Sequence, residues 1–383
     1  MVVVLPGLFP GTPCKGLQIT YPKAQTITMK PNDDNAKLPP EQRPFRVLII
    51  SGSQRRQYNC PGVDGKSRTL MLKMAEMLPQ DWEIDYEDLG NVYSRAQIRS
   101  CNACVSTSMA LCVWPCNCYE KGSLMEKDLM WEMDLYARLD MADAWAIIGP
   151  INWYSPSSNL KLMFDRLVCM NGGNPDESLI DHKDPEKAIA LEKTALWNEL
   201  SVNHLEGRTA GFFCYGDEGG DEMDEQGRPK VLKHKQYFTP EQEPFENERD
   251  AYAPLVWQCR YGGVEVPDQL WQHCTSGKGR KYSENQAEHM IAEQEFMQSF
   301  ERWVGDFANF VNAKGKVSPG KYRAYGFKRK TNLWKEAKTG IRSWMLRFGI
   351  TPENSSPEKQ KELGLNQDVT LQPGKSEGEK LRK

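Results

Sequence analysis

The sequence predicts an α/β chain built on a doubly wound, five-stranded parallel sheet of order 2-1-3-4-5, with insertions and terminal extensions. Three observations predict it. The apolar run Val47 to Ile50 in "FRVLIISGS" suits a strand buried on both faces, and similar runs recur in "AWAIIGP" and "RTAGFFCYG". Between these runs lie segments whose apolar residues fall at helical spacing, so strands alternate with helices. Right-handed crossovers then leave few topologies for five strands.

Residues 1–44 are proline-rich with little periodicity and read as an extended N-terminal arm. The domain is expected over 45–313. Its first strand leads through a polar loop, Gln54 to Lys66, into the helix "SRTLMLKMAEML", where Leu70, Met71, Met74, Met77 and Leu78 share a face. "WEIDYEDL" (82–89) is the second strand, a cysteine-rich stretch the connection after it, and "SLMEKDLMWEMDLYARLDMAD" (123–143) a helix. "AWAIIGPINWYS" is a third strand and its loop, and "SSNLKLMFDRLV" the helix that follows. An insertion near 174–206, helical over about 185–203, precedes the fourth strand, "RTAGFFCYGDEGG". A second, acidic insertion spans 217–250; a helix near 248–260, a short "GVEVP" strand and a long helix from about 284 to 312 close the domain. The extension 314–383 holds one amphipathic segment, with Trp334, Ala337, Ile341, Trp344, Met345 and Phe348 on a single face. That face suits docking on the body or on a second subunit, a membrane surface and disorder being the alternatives.

No run approaches the roughly 18 apolar residues of a membrane span, and the start "MVVVLPGLFPGTPCKG" lacks a basic n-region. The expectation is a cytoplasmic protein with no transmembrane segment, in which eleven cysteines are not a disulfide framework. The net charge of −3 divides into +10 over 314–383 and −13 before it, so tail and body attract each other. No nucleic-acid module is recognisable, and no nucleic-acid partner is expected.

In a sheet of this order ligands sit beyond the carboxyl ends of the strands, between the first and third. Three loops meet there. "SGSQRR" through "GKSRT" offers Ser51, Ser53, Ser67 and Thr69, the cations Arg55 and Arg56, and a helix N-terminus, which suits a phosphate. It is neither a G-x-G-x-x-G nor a Walker A loop. "GPINWYSPSSNLKLMFDRL" puts Pro150, Ile151, Asn152, Trp153, Tyr154 and Ser155 after a buried strand, where an aromatic ring can stack on a flat ligand. "CYGDEGG" adds Tyr215 and close backbone approach at Gly216. One phosphate and one planar ring describe a flavin mononucleotide; helix capping by Ser67 and core packing of Trp153 and Tyr154 are the plainer readings.

"GSQR" and "GPINWYSPSSNLKLMFDRL" resemble the Gly-Ser-x-Arg turn and the G/S-P-x-Y-W…LK-x-F-x-DR segment of the flavodoxin-like, NAD(P)H-dependent FMN reductases and their multimeric-flavodoxin and iron-sulfur flavoprotein relatives. The resemblance covers 45–170 well and 207–312 loosely. It implies Ser53, Arg55 and Ser67 on the phosphate, Pro150 to Ser155 along the isoalloxazine, and Tyr215 and Gly216 opposite. The phosphate loop is lengthened by "RQYNCPGVDG", which leaves Arg56, Lys66 and Thr69 open as contacts. The resemblance also implies an FMN-dependent oxidoreductase that passes electrons from NAD(P)H to a small acceptor such as a quinone, a flavin or a nitroaromatic. Its expected assembly is a homodimer or homotetramer. No catalytic side chain is named, because the flavin carries such chemistry.

Relatives also carry a cysteine run after the second strand, and in the iron-sulfur flavoproteins it ligates a [4Fe–4S] cluster. Here Cys101, Cys104, Cys112, Cys116 and Cys118 offer C-x2-C-x7-C-x3-C-x-C, with Thr107 where the compact pattern has its third cysteine. Zinc, a redox-active Cys101–Cys104 pair and unligated thiols stay open beside the cluster. With a cluster, the alternative function is an electron carrier or redox sensor working with a protein partner.

Overall fold

The computed structural model describes residues 38–55, 64–90, 96–116, 118, 127–130, 135–181, 183–217 and 248–318. Most of the N-terminal arm, Arg56, the body of the 217–250 insertion and the 333–348 segment lie outside them.

Strand β1 (Arg46–Ser51) is buried along its whole length, as an apolar run between two helical layers must be. It is flanked by β2 (Glu83–Asp88) and β5 (Ala144–Pro150), and β5 is followed by β6 (Thr209–Gly216) and β7 (Trp271–Thr275). All four pairings are parallel. Counted along the chain, the order is 2-1-3-4-5. Short strands β3 (Ala96–Gln97) and β4 (Lys127–Asp128) form a separate parallel pair.

The pleat sends alternate side chains to opposite layers. Val47, Ile49, Ala144, Ala146, Ile148 and Phe213 face α1 (Lys66–Met77) and α8 (Gln294–Lys314), whose stripe Phe296, Phe300, Trp303, Phe307 repeats nearly every four residues. Leu48, Ile50, Trp145, Ile147 and Phe212 face α2 (Leu135–Met141), α3 (Ser158–Arg166) and α6 (Ala253–Tyr261). The insertion builds a third, smaller core. Its helices α4 (Pro185–Leu191) and α5 (Ala195–Leu200) pack Ala188, Leu191, Trp197 and Leu200 on Ala110, Leu111 and Val113 of the cysteine stretch.

Three elements differ from expectation. Of the helix expected over 123–143 the described residues show α2, while Asp128 lies in β4 and its buried carboxylate receives Arg166 at 2.6 Å. "GVEVP" contributes a single bridge, Glu265 to Thr209, and the fifth strand is β7 instead. Pro267 has no N–H with which to extend a ladder. The long closing helix breaks at Glu293 into α7 (Ala287–Ala292) and α8. None of the described helices is long and apolar enough to cross a membrane.

At the amino end of the sheet, Asp143 ties the segment entering β1 to the segment that follows α8. Its carboxylate accepts two bonds of 2.7 Å from Arg43, one of 2.9 Å from the Arg46 amide and one of 2.7 Å from the Val317 amide.

Candidate functional site

At the opposite, carboxyl edge the three sequence-predicted loops converge. The pairing of Ser51 with Ile148 and of Pro150 with Tyr215 puts the ends of β1, β5 and β6 side by side. Gly52 continues the ladder, its amide donating to Ile148 O at 2.7 Å. The loop then turns against Gly90, where a Cβ would stand 2.6 Å from Arg55 O and 2.9 Å from Ser53 O; only glycine admits that approach. Ser53 Oγ accepts from the Arg55 amide at 3.1 Å and holds the turn. Ser157, which sequence reasoning did not single out, also serves it: its hydroxyl bonds Gly52 O and caps α3. The signal was available, since a serine ahead of a helical run is a cap pattern.

Two polar atoms here are buried without a partner, Ser51 Oγ and Arg55 Nε. The Arg55 stem packs 3.5–3.8 Å from a Cβ built at Gly65, so the guanidinium chain lies along the start of α1. That helix start carries no side-chain cap from Gly65 and no acidic residue in its first turn, which leaves its positive dipole end without a charged partner, although the Ser67 amide donates to the Tyr215 hydroxyl. A buried hydroxyl, a buried guanidinium nitrogen and an uncapped helix N-terminus fit a phosphate. Lys66, the first residue of α1, hydrogen-bonds Asn285 and lies among Asp217, Glu293, Arg280 and Arg55; burial lowers its ammonium from 10.5 to about 8.

The other two hydroxyls expected there are committed elsewhere. Ser67 Oγ shares a 2.8 Å hydrogen bond with Tyr215 Oη, tying α1 to the end of β6, and burial pushes the Tyr215 phenol up. Thr69 donates back to Gly65 O at 3.3 Å within its own helix.

After β5, Asn152 and Ser155 exchange backbone bonds of 2.8 and 3.1 Å around a two-residue turn. Its central residues, Trp153 (φ 50°) and Tyr154 (φ 59°), are both left-handed. Large residues hold that conformation at a cost of about 1–3 kcal/mol each. They are also 96% and 60% exposed, which removes the core-packing reading. Ile151 N donates to Tyr215 O at 2.8 Å, and Tyr252, an unanticipated wall residue, donates to Pro150 O at 3.0 Å. Strain spent on exposing two aromatic rings at a sheet edge fits a flat ligand. Trp153→Gly should therefore hold or raise thermal stability by up to about 1 kcal/mol while weakening flavin binding. A variant that loses stability and keeps full affinity would make the turn structural only.

The cysteines occupy a different place. Cys112 and Cys116 are buried, and the fully buried Cys169, distant from the run in sequence, contacts Cys112. Cys104 Sγ stands 3.6 Å from Cys118 Sγ, and Lys183 Nζ lies 3.8 and 3.5 Å from the two. A hydrogen bond from Cys116, together with the Lys183 charge, pulls the Cys118 thiol below its ordinary range, while the same bond and burial push Cys116 up. Burial raises Cys101. Among the described residues no group of three or more His, Cys, Asp or Glu is arranged to hold a metal ion. Cys104 thus stands beside Cys118, a neighbour that the sequence reading did not pair with it.

The sequence profile described as NADPH-dependent FMN reductase matches residues 45–245. No curated protein matches the chain significantly. Among solved structures the chain is similar to an FMN-dependent NADH-azoreductase from Bacillus anthracis str. Ames Ancestor in complex with FMN. The identity is 13% and the TM-score 0.31, over 70% of this chain and 99% of that one. It is likewise similar to an NAD(P)H:quinone oxidoreductase from Methanothermobacter marburgensis, at 13% identity and a TM-score of 0.35, over 70% and 97%.

Proposed function

Because the chain belongs to the NADPH-dependent FMN reductase family, we propose that it passes electrons from NAD(P)H through FMN to a small, flat acceptor of the quinone, flavin or nitroaromatic type. The chain is an NAD(P)H-dependent FMN oxidoreductase; the acceptor class is the inference. The observation that carries it is the left-handed Trp153–Tyr154 turn, which sets two exposed aromatic rings beside the phosphate-type loop.

In this reading Ser51, Ser53, Arg55 and the amino end of α1 hold the phosphate, with Lys66 adding charge, while Ser67 is bonded to Tyr215 through its hydroxyl and its amide. Thr69 takes no part, its hydroxyl being bonded within the helix. The backbone of Pro150 to Ser155 borders the ring, and Tyr215 with Gly216 borders the far side. FMN, when bound, supplies the hydride-accepting centre. The residues bind and orient; none needs to move a proton. A carrier or sensor role depends on a cluster, and the described cysteines show no metal-holding group to favour it. We also infer a domain over 45–313, flanked by the arm and the basic extension, that assembles as a homodimer or homotetramer.

The experiment is anaerobic reduction of reconstituted protein by NADPH and by NADH, followed by addition of benzoquinone, free FMN or a nitroaromatic. Rapid reoxidation by one of these is expected. Reduction with no turnover of any of them would sink the enzyme reading. Chromatography of the released flavin should give FMN; FAD would contradict the single-phosphate loop.

Lys66 adds a pH dependence. Its ammonium attracts the phosphate dianion, and above about 8 that charge is lost, so the FMN Kd should rise as pH is taken from roughly 7 to 9. Lys66→Met should bind more weakly at neutral pH with a flat profile. A wild-type Kd that stays constant across this range would remove Lys66 from the site.

A further inference from the structure

We propose that Cys104 and Cys118 form a redox-active dithiol, with Lys183 as its positioning cation, that undergoes thiol–disulfide exchange with low-molecular-weight disulfides. Two observations carry it together. The sulfurs already stand 3.6 Å apart, so closing a bond of about 2.05 Å asks for a shift on the order of 1.5 Å. One ammonium reaches both, at 3.8 and 3.5 Å. Such a cation stabilises the thiolate that attacks and the thiolate that leaves.

The same cation argues against a metal. A divalent ion bridging these sulfurs would have to displace Lys183, whereas a thiolate gains from it. Both cysteines are partly exposed and so open to a small reagent, while Cys112, Cys116 and Cys169 are buried. Lys183 is held in place by the insertion: its backbone is left-handed, with φ 69°, one residue before the Asp184 cap of α4. The insertion that covers the cysteine stretch therefore also charges it.

The exchange balances without a further reactant. Cys118 sulfur, as thiolate, attacks a disulfide RSSR; one S–S bond forms, one breaks, and RS− leaves and takes up the proton Cys118 released. Cys104 then gives its proton to solvent, attacks the Cys118 sulfur and displaces the second RS−, which is protonated in turn. Two protein thiols are oxidised and one RSSR is reduced to two RSH.

The test uses the full chain under argon with oxidised glutathione as the only oxidant. Arg99 and Lys121 bound one tryptic peptide that contains all five clustered cysteines, so a second cut after Leu111 and tandem mass spectrometry are needed to place the bond. Wild type should lose two free thiols and show a Cys104–Cys118 crosslink. Cys104→Ser should stop at one glutathione adduct on Cys118. Lys183→Gln should slow the exchange about tenfold, with bound-flavin absorbance reporting that the variant is folded. No crosslink, a crosslink to Cys101 or Cys116, an unchanged rate in folded Lys183→Gln, or stoichiometric iron or zinc in the untreated protein would each overturn the proposal.

Discussion

Asp143→Ala lowers the stability of the domain by about 3–5 kcal/mol, the cost of leaving a buried cation without its partner, and the midpoint of thermal unfolding falls by on the order of 10 °C. Asp143 and Arg43 are both almost fully buried, and the carboxylate is shared by the Arg43 guanidinium and by the amides of Arg46 and Val317. Removing it strands a charge and two backbone donors at once, and each stranded group carries its own desolvation cost. It also releases both ends of the domain, because Arg43 in turn bonds Val317 O at 2.8 Å. Asp143 precedes β5 at the amino edge of the sheet, so the FMN affinity of the folded fraction should not change. Denaturant melts of wild type and variant measure the first effect, flavin titration the second. A loss below about 1 kcal/mol would show that the ion pair is dispensable.

How much of this could be read from sequence depends on whether the signal was local. β1, β5 and β6 were legible because strands buried on both faces must be continuous apolar runs, and Val47–Ile50 is one. β7 was not. It is an edge strand in which Trp271 is buried and the next four residues only partly so, and "WQHCT" leaves almost no pattern. "GVEVP" drew the assignment instead, since Val264 and Val266 alternate and are buried, yet they line a connection. In 123–143, Leu129, Met130, Leu135 and Leu139 fall near helical spacing and all reach the core. What diverts the chain at Asp128 is Arg166, thirty-eight residues away. No local rule sees that pair.

The site divides in the same way. Which loops meet was legible, because sheet order alone brings the ends of β1, β5 and β6 together. Which hydroxyls are free was not: Ser67 is spent on Tyr215 and Thr69 on Gly65, and only packing reveals it. The cysteines were legible as a cluster and illegible as pairs. Two short 3₁₀ turns, Cys104–Ser106 and Met109–Leu111, lie between Cys104 and Cys118, whose sulfurs meet although they are fourteen residues apart. Spacing measures distance along the chain, and sulfur chemistry depends on distance through space.

The largest functional effect is expected from Ser53→Ala combined with Arg55→Met. Each residue would make a charge-assisted hydrogen bond to the phosphate or hold the loop that does, and a bond of that kind is worth roughly 1.5–3 kcal/mol. Together they should raise the FMN Kd by about 10²–10⁴. The two should be less than additive, because Ser53 Oγ accepts from the Arg55 amide and so places that residue; the losses of the two single variants should then sum to more than the loss of the pair. Arg55 Nε, buried without a protein partner, is the sharper probe: Arg55→Lys keeps the charge and removes the directed N–H, so it should recover only part of the affinity. Thr69→Val is the control. Its hydroxyl is bonded to Gly65 O, and the FMN Kd should stay within about threefold of wild type, since losing a single neutral hydrogen bond costs little. Fluorescence titration of the apoproteins measures all of these. A double variant that binds FMN as tightly as wild type would move the phosphate away from the β1 loop, and with it the ring away from the Trp153–Tyr154 turn.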